Sequence, residues 1–397
     1  MKKLVLVIAG ILIIQISGGQ SRTGSNVKVL DLAEAYSRKE EVKLSRLVNG
    51  IKYLKLESTS ESVIAGNAQY EFTNDYVIVR QAGASRKYQI LLFDKATGKF
   101  IREIGKAGRG PEEYFIYSPI PYNPVSKEIY TIDNSRNILA YDLNGIVTRR
   151  IVTSVLKDYK VAAFASMVDY ETFVAQVLNN TGTEKVKLIL MAKDGSIKKI
   201  PNTLTYNKPE IVKNYSTPFW GFFSFYIWDN KTNFVEIYCD TLYQVTKESM
   251  IPRYFFNWGK YNSSYSEQLW MTDRDRFNKN FAIMNIFENK SHIFVQANFN
   301  ENDQLFFVEK ATGKVTFCKT SESDIPGFQY DISGLMTVIP QGCTPQNEMV
   351  WIIQPVQLLK WLKQNPKAAD KAYKNLLWLK DIDELSNPVV AIAKCKE

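Results

Sequence analysis

Histidine is almost missing from this 397-residue chain: His292 stands alone. A zinc site built from two or three imidazoles is therefore excluded. A Ser-His-Asp triad would have to use His292, which lies in Ser291-His292-Ile293-Phe294-Val295, a stretch that reads as a strand. Cysteine is scarce too. Cys239, Cys318, Cys343 and Cys395 never form a Cys-x-x-Cys pair, which removes the zinc-ribbon and thioredoxin-like readings. An exported chain could oxidise them, but their spacing names no pairing, and free thiols acting as small buried hydrophobes are the simpler expectation. Clustered positive charge is lacking as well. Lys and Arg outnumber Asp and Glu by 50 to 41, for a net charge of +9, yet no five basic residues run together. A nucleic-acid surface would gather them on one element, so no nucleic-acid partner is expected.

Long apolar runs are confined to the first residues. Met1-Lys2-Lys3 and the apolar stretch 4–16 precede Ser17-Gly18-Gly19-Gln20. A basic start, a short apolar core and small residues make a secretory signal peptide, here 1–19 with cleavage after Gly19. The apolar core is too short to remain as a membrane span, and no later run replaces it, so the mature chain, 20–397, has no transmembrane segment. No cysteine follows the leader, and a lipid anchor is not expected. The same leader serves the periplasm and the extracellular space.

What the chain does have is aromatic residues, 13% of the total, which favour pleated, half-buried strands. It also has a recurring hairpin. Residues 91–104, 139–151, 188–200 and 306–317 each hold an apolar strand, a turn ending in glycine and a second strand. The turns are Asp94-Lys95-Ala96-Thr97-Gly98, Asp142-Leu143-Asn144-Gly145, Lys193-Asp194-Gly195 and Glu309-Lys310-Ala311-Thr312-Gly313. Glycine takes the positive φ of such turns without steric cost. Phe93, Tyr141 and Met191 are matching positions at intervals near the 40–50 residues of a four-stranded propeller blade. A degenerate hairpin at 240–257 supplies the missing copy. Inner strands precede the hairpins at 76–79, 128–133, 172–176, 234–238 and 292–296. A sixth blade begins near 335–339 and continues through 349–353.

The pattern changes near the C-terminus. Apolar spacing over 355–380 predicts two short helices split near Pro366, followed by a last strand at 387–393. Ring closure needs a strand from one terminus in the blade of the other, and the early strand 51–56 is its natural partner. The expected fold is all-β: a six-bladed β-propeller with short helices near the C-terminus.

The stretch Ile104-Gly105-Lys106-Ala107-Gly108-Arg109-Gly110-Pro111-Glu112-Glu113-Tyr114 resembles the blade junction of NHL-like six-bladed propellers. More narrowly, the chain resembles the exported six-bladed β-propeller family, NHL-like or TolB-like, of Gram-negative bacteria. Tyr53-Leu54-Lys55-Leu56-Glu57, Asp240-Thr241-Leu242-Tyr243 and Asn387-Pro388-Val389-Val390-Ala391 are further matching pieces. The resemblance implies the fold over nearly the whole mature chain, and its narrower family has no settled activity. NHL-like relatives include a zinc lyase and calcium-dependent esterases, but their ligand histidines have no counterpart here.

Three functions compete. The leading one is an exported, non-catalytic binding protein that holds a glycan, a peptide or an envelope protein at one propeller mouth. Its candidate ligand-binding residues are Trp220, Phe222, Tyr226 and Trp228 at the start of the fourth blade, with Trp270 and Arg109. Aromatic rings stack on sugar faces while Tyr and Trp keep a polar handle, and Arg109 sits in a loop able to approach a ligand. The second is a polysaccharide hydrolase or lyase, which needs facing carboxylates. The third is an interaction scaffold of the cell envelope. No cofactor or catalytic constellation is expected. Calcium is the one metal considered, at Asp133-Asn134-Ser135-Arg136-Asn137, where Arg136 interrupts the run of oxygen ligands.

Overall fold

The computed structural model describes residues 27–82, 88–159, 161–177, 184–203, 223–262, 275, 278–319 and 326–396. The chain opens with β1 (Lys28–Asp31), a short helix α1 (Leu32–Tyr36), β2 (Lys39–Glu40) and the long strand β3 (Val48–Lys55). Blade 1 is β4 (Gln69–Phe72), β5 (Tyr76–Ala82), β6 (Tyr88–Asp94) and β7 (Phe100–Glu103). Blade 2 is β8 (Ile116–Tyr117), β9 (Ile129–Ile132), β10 (Ile138–Tyr141) and β11 (Val147–Ile151). Blade 3 is β12 (Val161–Val168), β13 (Thr172–Val177), β14 (Val186–Ala192) and β15 (Ile197–Pro201). Blade 4 is β16 (Phe223–Trp228), β17 (Lys231–Glu236), β18 (Thr241–Val245) and β19 (Met250–Asn257). Blade 5 is β20 (Ala282–Glu288), β21 (His292–Phe299), β22 (Asn302–Glu309) and β23 (Val315–Cys318). Blade 6 is β24 (Gly342–Cys343), β25 (Glu348–Ile353) and β26 (Val389–Cys395), with β3 as its fourth strand. The fold is the expected six-bladed propeller.

Blades 1 to 5 are each an antiparallel meander. The first strands meet around the axis, β12 against β16, β16 against β20 and β20 against β24. The middle strands are sandwiched between neighbouring blades. β5 and β14 are accordingly buried at every position but their ends, as expected of a strand covered on both faces. Outermost β11 alternates instead, the period-2 mark of a half-exposed strand.

The structure corrects two points of the sequence reading. The strands read as inner are second in each blade, and the true first strands stand before them. β8 and β24 have two residues each, too few to show a period. The sixth blade does not begin at 335–339. There only Val338 makes a bridge, to Phe328, and Pro340, which lacks an N–H, precedes the two residues that do pair.

β3 pairs with β26 from Val389↔Lys55 to Cys395↔Val48, closing the ring as expected. The residues before it run as a strap across two more blades. β1 adds in parallel to β19 of blade 4, and β2 adds in parallel to β23 of blade 5. Both strands cover outer edges that would otherwise offer open backbone groups. Two helices, α2 (Pro355–Gln364) and α3 (Pro366–Asn375), interrupt blade 6 between β25 and β26. Each starts on a proline, a residue suited to a first helical position because its missing N–H has no partner there. Leu358, Leu362, Ala369 and Ala372 are buried with Leu44, Tyr330 and Trp351 in the core shared by blades 5 and 6. Cys239, Cys318, Cys343 and Cys395 are all free thiols.

Hairpin turns lock one blade to the next. Gly98 has φ +77°, and a Cβ there would lie 2.0 Å from the Lys55 carbonyl oxygen of β3. Gly98→Ala therefore costs both backbone strain and the closing contact, about 1–3 kcal/mol for the strained backbone alone. Urea unfolding followed by tryptophan fluorescence checks this: the midpoint falls, and an unchanged midpoint contradicts the packing described.

Candidate functional site

Two hairpins carry the same turn, Asp94-Lys95-Ala96-Thr97-Gly98-Lys99 in blade 1 and Glu309-Lys310-Ala311-Thr312-Gly313-Lys314 in blade 5. They fold alike. The Gly98 and Gly313 amides donate to the Asp94 and Glu309 carbonyls at 2.8 and 2.7 Å. The lysine amides donate to Asp75 and Ser291 of the preceding turn, at 2.8 and 2.9 Å. The lysine carbonyls accept from a lysine on the outer strand of the preceding blade, Lys52 at 3.4 Å and Lys28 at 2.8 Å. In both, the lysine side chain is then carried inward to the junction between two blades.

At the junction of blades 4 and 5 it meets a buried acid. The Glu288 side chain has no solvent exposure. Its Oε2 lies 2.5 Å from Lys310 Nζ, and its Oε1 accepts from Arg253 Nη1 at 2.5 Å and from the Tyr226 hydroxyl at 2.9 Å. Lys310 Nζ also donates to the Asn289 carbonyl. Burying one carboxylate is costly, and two cations with a hydroxyl offset it. The second positive charge is offset in turn by Trp228, whose ring centroid lies 3.4 Å from Lys310 Nζ and 5.4 Å from Arg253 Cζ. Burial pulls the Lys310 ammonium below its ordinary pKa although Glu288 opposes the shift. Burial pushes the Tyr226 hydroxyl far above its own.

Tyr226 and Trp228 stand two residues apart on β16 and are thus presented to the same side. Both rings face partners of their own chain, in the wall between two blades. Trp220, Phe222 and Trp270 lie outside the described residues. Trp258, at the end of blade 4, is buried and stacked on Phe281 with centroids 4.6 Å apart.

Arg109 is exposed on the loop joining blades 1 and 2. That loop closes on itself. Gly108 donates to Tyr114, Tyr114 donates to Lys106, and Glu113 Oε2 accepts from the Gly110 amide at 2.8 Å. A Cβ on Gly108 would fall 1.9 Å from that carboxylate oxygen, so the glycine leaves room for the acid. Beneath lies Tyr141, whose hydroxyl donates to the Glu112 carbonyl at 2.7 Å. At Asp133 the oxygens serve their own turn: Oδ1 accepts from the Ser135 and Asn137 amides, and Oδ2 pairs with Arg150. Among the described residues no three His, Cys, Asp or Glu side chains gather so as to hold a metal ion.

The junction of blades 6 and 1 is built differently. There Lys95 Nζ donates to Gln346 Oε1 at 2.8 Å and to Glu348 Oε2 at 3.2 Å. Among the described residues no indole lies over it. A cleft of about 250 Å3 opens beside it, lined by Lys52, Asp75, Asp94, Lys95, Glu348 and Ile392 among others. Sequence reading passed over this place. The signal that could have found it is the Lys-Ala-Thr-Gly-Lys repeated in two hairpins, which marks a lysine with a job common to both.

Ring, strap and polar blade junctions define a six-bladed β-propeller, with a cleft of about 250 Å3 between blades 6 and 1. The chain belongs to the family described as a domain of unknown function, DUF4934, matched over residues 27–394. Two solved structures share the fold. One is a Bacteroides fragilis NCTC 9343 protein described as exported, 15% identical, with a TM-score of 0.64 over 94% of this chain and 100% of that one. The other is a member of the DUF4221 family from Bacteroides vulgatus ATCC 8482, 12% identical, with a TM-score of 0.52 over 90% and 99%. No curated protein matches the chain. Among the described residues no helix is long and apolar enough to cross a membrane.

Two outcomes follow from these contacts. Glu288→Gln leaves Arg253 and Lys310 buried without their counter-charge, and the loss is about 3–5 kcal/mol by denaturant unfolding. Burial, reinforced by Glu112 and Glu113, raises Tyr141 to a pKa of about 12. The unfolded phenol ionises first, near 10, so the stability contributed is complete below that pH and is lost as pH rises towards 12. Tyr141→Phe flattens the decline between pH 10 and 12 in unfolding titrations.

Proposed function

We propose that this chain is an exported, non-catalytic binding protein that holds a glycan, peptide or protein partner at one mouth of the propeller. The observation that carries this reading is the state of its carboxylates. Glu71 is paired with Arg80 at 2.6 Å, Glu236 with Lys187 at 2.5 Å, Glu288 with Arg253 and Lys310, and Glu348 with Lys95. Each pair lies in or beside a wall between blades. Six carboxyls are held below the ordinary value: Asp94, Glu128, Asp142, Asp194, Asp331 and Asp383. At Glu128 burial pushes upwards, but hydrogen bonds from Ser126, Thr148 and Tyr130 and the charge of Arg149 outweigh it. A glycosidase acid needs the opposite, a carboxyl kept protonated by a raised pKa. Acids paired with cations of their own chain serve the scaffold and fit a binding role.

Export is supported by the basic and apolar residues 1–16 with the small residues after them, and the described exported neighbour agrees with it. The blade-junction loop around Arg109 supports kinship with the NHL-like propellers. The decisive experiment is a glycan-array and thermal-shift screen of the mature chain, with and without calcium, run beside a pull-down from the cell envelope and an assay for sugar released from the array ligands. Retained ligand without turnover is the expected result. Release of reducing ends or unsaturated products overturns the non-catalytic reading.

A further inference from the structure

We propose that the cleft between blades 6 and 1 binds a single uncharged sugar ring. This rests on the binding-protein reading above and names its site and ligand class. The chain itself holds the comparison that suggests it. The lysine turn of blade 5 sits against the last residue of the first strand of blade 4, Trp228, whose ring lies flat beside the ammonium. The same turn in blade 1 faces Gln346 and Glu348 of blade 6. One junction is filled by a planar ring of the protein. The other has no aromatic ring among its lining residues and holds a cleft of about 250 Å3.

Its size and chemistry narrow the occupant. The volume lies below the roughly 300–1,000 Å3 of pockets that take drug-sized molecules, and it suits one ring. Lys52 and Lys95 line it but are already engaged. Lys52 Nζ donates to the Ala96 carbonyl at 2.9 Å, and Lys95 Nζ to Gln346 and Glu348. Their methylene stems, with Ile392, give an apolar wall. The carboxylates are the groups with capacity to spare. Asp75 is exposed, and its carboxylate accepts no hydrogen bond from the described residues. Asp94 uses Oδ1 for the Thr97 amide and hydroxyl, and its Oδ2 keeps acceptor capacity. Acceptors beside an apolar wall match a ring that carries hydroxyl donors on its rim and C–H groups on its face. An anionic ligand would meet Asp75, Asp94 and Glu348 with both lysines committed, and an aromatic side chain would leave the acceptors unused.

Neutral methyl hexosides and N-acetylhexosaminides, with methyl uronides as the anionic comparison, are titrated into the full mature chain by saturation-transfer NMR. Asp75→Asn and Ala96→Trp are run beside the wild type. Both positions are exposed, so both variants fold, which circular dichroism confirms. Asp75→Asn weakens a charge-assisted acceptor and Ala96→Trp fills the space. Neutral glycosides bind the wild type in the millimolar range, uronides bind more weakly, and each variant weakens neutral binding roughly tenfold or more. Binding unchanged in both variants, or binding confined to uronides, overturns the assignment. Array ligands retained equally by wild type and both variants leave the binding-protein reading intact and remove only this cleft. The absence of any array ligand and any envelope partner removes both.

Discussion

Everything in this molecule depends on one strand pairing, β3 with β26. It joins Lys55 to Val389 and Val48 to Cys395, residues more than three hundred positions apart, and turns six sheets into a ring. A blade cannot bury its own faces, because each face is covered by the blade beside it. Without closure, blades 1 and 6 would each expose an apolar face. The core shared by those blades, with Leu54, Val77, Val79 and Phe93 beside Val350, Val390 and Ile392, exists only in the closed ring. Contacts of such sequence separation form late and slowly, so this pairing is also where folding is most exposed to failure.

The strap reinforces that closure. A chain that had only to close the ring could begin at β3. Instead its first described residues cross the outer edges of blades 4 and 5 before entering blade 6. The strap is held by side chains as well as backbone. Lys28 reaches the Lys310 carbonyl at 2.8 Å, and Arg46 joins Glu40 to Glu309 at 2.9 and 3.0 Å. Three consecutive blades are thereby tied to one segment, on the half of the ring that holds the closure. The outer strands of blades 1 to 3 carry Arg102, Arg149, Arg150, Lys198 and Lys199 instead. Charged side chains are the other common means of keeping an edge strand from pairing with a second chain.

The parts of this fold legible in the sequence were those with local rules. Hairpins show themselves because a turn needs glycine at a fixed offset and its strands are apolar, and Phe93, Tyr141 and Met191 could be aligned for that reason. The helices and their break at Pro366 obey an equally local rule. The first strands could not be read. β8 and β24 are two residues long, and β4, Gln69-Tyr70-Glu71-Phe72, is half-buried towards the axis without clear alternation. The strap was invisible for the same reason: a two-residue strand such as β2 is defined by its partner and carries no pattern of its own. For the site the difficulty was greater. Tyr226 and Trp228 look like ligand-stacking residues in a list, because nothing in the sequence says that Glu288, Arg253 and Lys310, up to eighty-four positions away, will converge on them.

That convergence explains why this propeller can keep polar residues in its walls and still form a cavity. Apolar packing between blades is nearly interchangeable from one junction to the next, since any flat apolar sheet suits another. Polar pins are not interchangeable. Lys187 with Glu236 joins blades 3 and 4, Arg80 reaches the Ile120 carbonyl between blades 1 and 2, and Gln296 reaches the Pro340 carbonyl between blades 5 and 6. Each pin is satisfied only by its own partner, so a blade paired out of order would leave buried charge or unmet hydrogen bonds, at several kcal/mol for each buried ion. Specificity of order is thus carried by polar groups, and stability by apolar ones. A turn that brings a lysine to a junction serves this ordering in blades 1 and 5 alike. Where the neighbouring blade supplies a tryptophan its ring covers the lysine, and where it supplies Gln346 and Glu348 a cleft opens beside it. One short repeated sequence can therefore build both a wall and a niche, and the side chains that the neighbouring blade sets against its lysine decide which.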